Sequence, residues 1–556
     1  MKRDCASLAN ERFDLLVVGG GVHGAAAARA GTLLGLRTAL IEQGDFGHAT
    51  SANSLKIIHG GLRYLQHGNL RMVREGVRAR RQMMALFPHL ISPLPCVVPT
   101  CGLGVRGKPA MAAALALNDL LAADRNRGLP ADSRLPRGRI LSRAEMLNIA
   151  PGLPPGETSG GALWYDGLAE DTERLVLALA CDAAARGACA ANYVRAEGFL
   201  REGGAVTGVR ARDLPSGAAF DIRARVTLNA AGPWLDLLAA PLRPASDPPP
   251  LAKAVNIVIG RRLFGEHAVG LAGQRGSGGA ASGKRFFFFV PWRGGTMIGT
   301  LYLPFAGRPE ECAVSAEDLA LMTAEVNRLY PAARLDPDEV RFAHVGVLPL
   351  VPGTAAAAVD SGLARRPLVI DGARAWGVGG VLGIRSVKYT SACRIADEAL
   401  AAVLAKLDRA PAPRREPEAL LEPPPTPAVW DGGSSGPETD LSRDVSRRIR
   451  LRYGAAAGGI FEMVRRAPQL ARRVTHDQPT VAAELIHAIR EEAALCLCDL
   501  LFRRTPLGTA GHPGREALAA CAAIAAAELR WDETRREREI GLVEQKYRRL
   551  LGGRTG

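Results

Sequence analysis

Aromatic residues make up only 5% of the 556-residue chain, and neither a C-x-x-C pair nor a His-rich cluster occurs in it. Without interleaved aromatics there is no stacking platform for bases. The formal charge of +15 and the pI near 9.7 are therefore not read as nucleic-acid binding. The positive charge is scattered and suits an anionic substrate or an anionic lipid surface. The ten cysteines lack the spacing of zinc or iron–sulfur ligands, so no metal is expected. Cys496 and Cys498 fall two apart on a predicted helix, where side chains point in different directions. All ten are read as free thiols of a reducing cytoplasm. Also missing is any apolar run near the roughly 18–20 residues that span a bilayer; one of the most apolar stretches is only Phe286 to Val290. Asp4, Asn10, Glu11 and Arg12 interrupt the start of the chain, so no signal peptide is expected. Any membrane contact is then peripheral.

What is present is concentrated in Phe13 to Gln43, FDLLVVGGGVHGAAAARAGTLLGLRTALIEQ. The apolar run Asp14 to Val18 predicts a buried parallel strand, followed by a G-x-G-x-x-G turn of Gly19, Gly21 and Gly24 and a helix from Ala25 to about Leu34. Gly19 permits the tight turn, and Gly21, beside Gly20, lets backbone approach a pyrophosphate. Gly24 lets helix and strand pack closely. The pyrophosphate is expected at the positive end of the helix. A second strand, Arg37 to Ile41, ends at Glu42, placed to accept hydrogen bonds from ribose hydroxyls and to disfavour a 2′-phosphate. The unit binds a dinucleotide and does not itself separate FAD from NAD.

A length of 556 residues exceeds one core, so two or three domains are expected. The polar loop from Thr50 leads through Gly60 and Gly61 into a predicted helix from about Asn69 to Phe87. Another helix is expected around Met111 to Leu121, a strand at Ala162 to Tyr165, and a helix near Asp171 to Arg186. Arg225 to Ala230 is a further strand, ending in Ala231-Gly232-Pro233-Trp234. The runs AVNIVI, RFFFFVPW and TMIGT between Ala252 and Thr300 indicate an antiparallel sheet. Leu368 to Asp371 precedes a glycine-rich stretch, Lys388-Tyr389-Thr390 and a helix from Ser391 to Leu407. Residues 409–440 are rich in Pro and Gly and mark a linker. Leu441 to Leu551 has a helical pattern.

Taken together, these pieces resemble the FAD-dependent glycerol-3-phosphate dehydrogenase family, within the D-amino-acid-oxidase-like flavoproteins. The resemblance rests on Thr50-Ser51 through Lys56, IHGGLRYLQH at Ile58 to His67, NAAGPW at Asn229 to Trp234, VPW with IGT at Val290 to Thr300, KYTSACRIADEAL from Lys388, and Ala483 to Gly508 with its Arg503-Arg504-Thr505 ending. It implies an α/β fold: a FAD-binding Rossmann-like domain of the glutathione-reductase type, an antiparallel-sheet substrate domain and a C-terminal helical domain. The FAD-binding domain is expected to be discontinuous, at 13–95, 155–250 and 360–408, with the substrate domain at 96–154 and 251–359. The linker 409–440 and the helical domain 441–556 follow. The implied reaction takes sn-glycerol 3-phosphate to dihydroxyacetone phosphate, with hydride passing to flavin and electrons to a quinone. The implied location is cytoplasmic, with peripheral attachment to the inner face of the membrane and a homodimer left open.

Cofactor contacts implied by the resemblance are Gly19, Gly20, Gly21, Gly24, Glu42, Thr50, Ser51, Ser54, Gly61, Ala231, Gly232 and Lys388. On the substrate side, Arg63 is the first choice for the phosphate because a guanidinium grips two oxygens at once. His59 is the candidate base, Lys388 and Thr390 orient the substrate oxygens, and Tyr64 lines the pocket. Three positions depart from the family pattern. Leu348 stands in HVGVLPL where members carry a second anion-binding arginine, Asn256 replaces a histidine, and Leu301 follows I-G-T where an acid is usual. Arg385 or Arg341 is a candidate replacement cation. Because all three departures fall in the substrate domain, an alternative keeps FAD and changes the substrate to another hydroxy acid, polyol or amine, with oxygen as a possible acceptor. A binding or scaffold protein that has lost turnover is a third reading, against which Arg63, Lys388 and Thr390 weigh.

Overall fold

The computed structural model describes residues 1–243, 248–272, 286–355, 359–410, 441–475 and 478–554. Two sheets organise them. In the first, the strand order is Leu368–Asp371, Val381–Arg385, Ala219–Asn229, Arg12–Val18, Thr38–Ile41, Cys189–Ala191. The central pairings are parallel, with Val18 opposite both Asn229 and Ile41. All strand residues from Phe13 to Val18 are buried, as expected of a parallel strand covered on both faces. Helices Val22–Leu33, Thr172–Ala185 and Ala392–Lys406 pack together in the core cluster formed with this sheet.

The first helix begins at Val22, so Gly24 lies within it rather than ahead of it. The helix can start that early because Gly24 carries no side chain: a Cβ there would stand 1.8 Å from the Gly19 carbonyl oxygen. Leu70–Leu86 forms the long arginine-rich helix, and the Asn69 side chain caps it by accepting from Met72 N–H at 3.0 Å.

The second sheet runs Val340–Pro349, Leu251–Ile259, Gly295–Phe305, Phe286–Trp292, Ala268–Ala272, Ile91–Thr100, Gly160–Ala169, Ile57–Ile58. Its pairings are antiparallel except that Ala268–Ala272 runs parallel to Ile91–Thr100. Phe287, Phe289, Trp292 and Phe342 from this sheet share one buried core with Leu485, Leu500, Phe502 and Tyr547 of the C-terminal helices. The expected linker 409–440 lies outside the described residues from 411 onward.

One local expectation is overturned. Cys496 is not helical; it precedes the short helix Leu497–Asp499 in an extended conformation, φ −141° and ψ 166°. Helical geometry therefore does not set the directions of the two thiols, and each shifts the titration of the other.

Candidate active site

The glycine turn shapes one wall of a cavity of roughly 2760 Å³ that runs between the two sheets. Gly19 adopts φ +108°, and a Cβ there would meet the Ala230 carbonyl oxygen at 2.6 Å. Gly19, Gly21, Glu42, Thr50, Ser51, Ser54, Gly61, Ala231, Gly232 and Lys388 all line the cavity, whereas Gly20 and Gly24 sit behind it. Gly20 packs against Phe46, where a Cβ would come within 2.6 Å of the ring. Glu42 accepts from Gly20 N–H at 2.6 Å and from Gly44 N–H at 2.8 Å. Its carboxylate thus holds the turn, and each oxygen keeps capacity for a further donor. Ser51 Oγ accepts from Val22 N–H at 3.0 Å, satisfying one of the open donors of the helix start.

The loop from Thr50 to Lys56 is clamped at several points. Thr50 Oγ1 donates to the Val347 carbonyl at 2.9 Å and accepts from Val347 N–H at 3.2 Å. Asn256 donates to the Asn53 carbonyl at 3.2 Å and accepts from Thr300 Oγ1 at 2.7 Å. Asn256 is therefore a brace between loop and sheet. Lys56 is wholly buried; its ammonium reaches Glu173 and the Ala52 carbonyl, each at 2.7 Å, and Thr172 Oγ1 at 2.9 Å. Burial lowers the Lys56 pKa, and the Glu173 carboxylate opposes that shift. Ser54 Oγ accepts from Lys56 N–H at 3.3 Å.

His59, Arg63, Tyr64, Lys388 and Thr390 all line the same cavity. His59 N–H donates to Thr390 Oγ1 at 3.2 Å, and the Lys388 ammonium stands 4.5 Å from the Tyr64 ring centre. These two contacts bring together segments more than 320 residues apart in sequence.

Asp166, which sequence reasoning missed, sets the orientation of His59. Ile58 pairs with Gly167, so the next residue, His59, falls beside Asp166, and Nδ1 lies 3.3 Å from Oδ2. The same buried carboxylate accepts from Gly60 N–H at 2.7 Å, the Trp164 indole at 3.2 Å, and Arg80. Burial pushes the Asp166 pKa up, but the His59 hydrogen bond and the Arg80 charge outweigh it and hold the group below the usual range. When Nδ1–H donates to this carboxylate, the Nε2 lone pair is left free to accept a proton.

Leu348 lines the cavity and packs beside Ala252, Leu350 and Leu363. Of the two candidate replacement cations, Arg385 is held by Asp236, at 2.7 and 2.9 Å, and Arg341 does not line the cavity. Arg365 does. Leu350 bridges Leu363 in antiparallel fashion, and Ala364 N–H donates to the Pro349 carbonyl at 3.1 Å. Just past that contact the Arg365 N–H turns back to the Leu363 carbonyl at 2.7 Å, and its segment borders the cavity that Leu348 also lines. No motif announces Arg365, since the relation arises only when the chain folds back after Pro349.

The C-terminal segment closes the cofactor side. Asp45, just past Glu42, is fully buried and accepts from Arg503 at 2.5 Å and from Arg504 at 2.6 and 2.8 Å. Arg452 and Arg293 both pair with Asp171, and Arg174 pairs with Glu492 at 2.6 Å. These buried pairs join the helices to the dinucleotide unit.

The cavity fits FAD on three counts. The turn is open where a pyrophosphate would approach, the volume exceeds the 300–1,000 Å³ of ordinary ligand pockets, and His23 Nε2, at the helix start, is buried with no partner among the described residues.

Comparison with known proteins agrees with this geometry. A family model described as FAD dependent oxidoreductase matches residues 14–384, and one described as the C-terminal domain of alpha-glycerophosphate oxidase matches residues 428–536. A glycerol-3-phosphate dehydrogenase of Synechocystis is 30% identical over 565 residues, covering 99% of this chain and 98% of that protein. Another, of Mycobacterium leprae, is 30% identical over 546 residues, covering 95% and 87%. The crystal structure of the glycerol-3-phosphate dehydrogenase from Bacillus halodurans complexed with FAD superimposes with a TM-score of 0.75 at 22% identity, covering 99% of this chain and 97% of that one. That likeness shows a shared fold.

Proposed function

Since the chain belongs to the FAD-dependent glycerol-3-phosphate dehydrogenase family, we propose that it oxidises sn-glycerol 3-phosphate to dihydroxyacetone phosphate and passes the electrons to a quinone. FAD supplies the hydride acceptor when bound. The observation that carries this reading is the His59–Asp166 pair at the wall of the cavity that Lys388 and Arg63 also line. In this reading His59 Nε2 takes the proton from the hydroxyl oxygen on the carbon that is oxidised, and Asp166 holds the imidazole in place. Arg63, joined by Arg365, binds the phosphate, where planar guanidinium donors match its oxygens. Lys388 and Thr390 orient the oxygens nearest the reacting carbon.

Peripheral membrane attachment is proposed from a second feature. No helix among the described residues is long and apolar enough to cross a membrane. Yet Leu103 and Val105 are 93% and 87% exposed, and Leu120 is 73% exposed on the helix Lys108–Leu121 that follows. Val105, Arg106, Ala110 and Met111 line the mouth of the cavity. An apolar tip with adjoining cations suits the headgroup region of an anionic bilayer, and a quinone would reach the cavity from there.

Leu348 favours a second reading, a different hydroxy acid, polyol or amine as substrate. Anaerobic bleaching of the flavin absorbance separates the two. Reduction by glycerol 3-phosphate, and not by glycerol, 2-hydroxyglutarate or amino acids, is expected; reduction only by one of the others would refute the phosphate ester.

A further inference from the structure

The cavity has a lobe that the proposed reaction does not use, bounded by Cys498, Phe502, Arg503 and Lys546 of the C-terminal helices. Cys496 and Cys498 stand near enough there for each thiol to shift the titration of the other. Being two residues apart, their Cα atoms lie within about 7 Å of each other, close to the separation that a disulfide spans. Cys496 Sγ is also 3.2 Å from the Tyr193 hydroxyl, which donates to Asp499 at 2.6 Å. Lys546 stands 4.2 Å from the Phe502 ring centre, and Arg503 pairs with Asp499. Thus two thiols meet beside two cations, and one of them faces the cavity.

The two sulfurs are not equivalent. The interaction with Cys496, with the Lys546 and Arg503 charges, lowers the Cys498 pKa, whereas the interaction with Cys498 and the loss of solvent push Cys496 well above the usual thiol range. Elsewhere, burial pushes Cys181 and Cys312 up to about 11, and Cys189, Cys393 and Cys521 up to about 12. Those thiols are poor nucleophiles at neutral pH, because the thiolate is the reacting species.

We propose that Cys496 and Cys498 form a peroxide-oxidisable dithiol, converted to an intrachain disulfide by hydrogen peroxide reaching Cys498 through the cavity. The Cys498 thiolate attacks one peroxide oxygen, the O–O bond breaks, and hydroxide leaves, giving a sulfenic acid. The Cys496 thiol then displaces the sulfenic oxygen as water, and the S–S bond forms. In sum, two thiols lose two electrons and two protons, and one peroxide becomes two waters. The bond draws Cys496 away from Tyr193, one step from the Asp499–Arg503–Asp45 chain beside the dinucleotide unit. Nothing in this depends on which alcohol the enzyme oxidises.

The test is peptide mass mapping of the holoenzyme after stoichiometric hydrogen peroxide, with alkylation of remaining thiols. Trypsin releases Glu491–Arg503 with both cysteines in one peptide. That peptide is expected to lose two hydrogens, to resist alkylation, and to regain both thiols with dithiothreitol. In Cys496→Ser the peptide should instead gain one oxygen on Cys498 that dimedone traps, whereas in Cys498→Ser it should stay unmodified at the same dose. An unchanged peptide in the parent protein overturns the proposal. So does equal oxidation of the two single variants, which would mean that Cys498 has no special reactivity.

Discussion

His59 Nδ1 lies 3.3 Å from Asp166 Oδ2, and the other oxygen of that carboxylate is held by Gly60 N–H and Arg80. The imidazole is thereby oriented by a group that is itself immobile. Replacing Asp166 by Asn keeps the shape but removes the charge and the preference for one tautomer. Asp166→Asn should lower the rate of anaerobic flavin reduction by about 100-fold, the lower end of what a positioned base contributes, with FAD still bound. His59→Ala should match it, and the double variant should be little worse than either, since the two act as one unit. Stopped-flow absorbance at the flavin band reads all three. Unchanged reduction in His59→Ala would remove it as the base.

The difference between His59 and Asp166 also marks what the sequence made legible. His59 stands in a motif, beside Gly60 and Gly61, and its place at the cavity follows from the loop after the glycine turn. Asp166 lies 107 residues away in an apolar run, and only the pairing of Ile58 with Gly167 makes them neighbours. Likewise the glycine turn, the parallel strand to Val18 and the returning strand to Asn229 were readable because their chemistry is local. Arg365 was not, because its position depends on how the chain folds back past Leu350. Cys496 was misread for a related reason: helical periodicity was extended across a residue that is extended in the fold.

Arg63 and Arg365 should act on binding. If each donates a charge-assisted hydrogen bond to the phosphate, worth about 1.5–3 kcal/mol, Arg63→Ala and Arg365→Ala should each raise KM for glycerol 3-phosphate by roughly 10- to 100-fold. kcat should change less. A neutral polyol substrate should show no such rise. Arg341→Ala, outside the cavity, should leave KM unaltered. Steady-state kinetics with an artificial dye acceptor give the comparison, and an unaltered KM in Arg365→Ala would return the second anion contact to an open question.

Asp45 should dominate the response to acid. The adjacent Arg503 and Arg504 guanidinium groups overcome the opposing effect of burial and hold its carboxyl far below the usual range. A depressed folded pKa contributes stability that is complete above the unfolded value, about 3.9, and is lost as pH falls through the folded one. Below about pH 4 each such group adds up to about 1.4 kcal/mol per pH unit to the loss. Asp171, through Arg293 and Arg452, and Glu492, through Arg174 and His487, are also depressed despite burial, so the acid limb should be steep. Asp45→Asn should flatten that limb by one group. At neutral pH it should cost about 3–5 kcal/mol, because the buried Arg504 loses the carboxylate that holds it and Arg503 keeps only Asp499. Urea unfolding at several pH values measures both effects, and an unaltered acid slope would show that Asp45 is not the titrating group.

Membrane attachment, if it runs through Leu103 and Val105, should be separable from catalysis. The two side chains stand almost fully in solvent, so burying them in a bilayer interface gains roughly 1.5–3 kcal/mol each by area, and Arg106 adds an electrostatic share near anionic lipid. Replacing both with Asp removes the apolar gain and introduces repulsion. Leu103→Asp/Val105→Asp protein should move from the pelleted to the soluble fraction with anionic vesicles, while reduction of a water-soluble dye by glycerol 3-phosphate stays as before. Reduction of a quinone dissolved in the vesicles should fall in parallel with binding. High salt should release part of the parent protein, since it screens Arg106 and its neighbours, yet should leave the apolar share in place. If the double variant still pellets and still reduces vesicle quinone, the lipid contact lies on another face of the molecule.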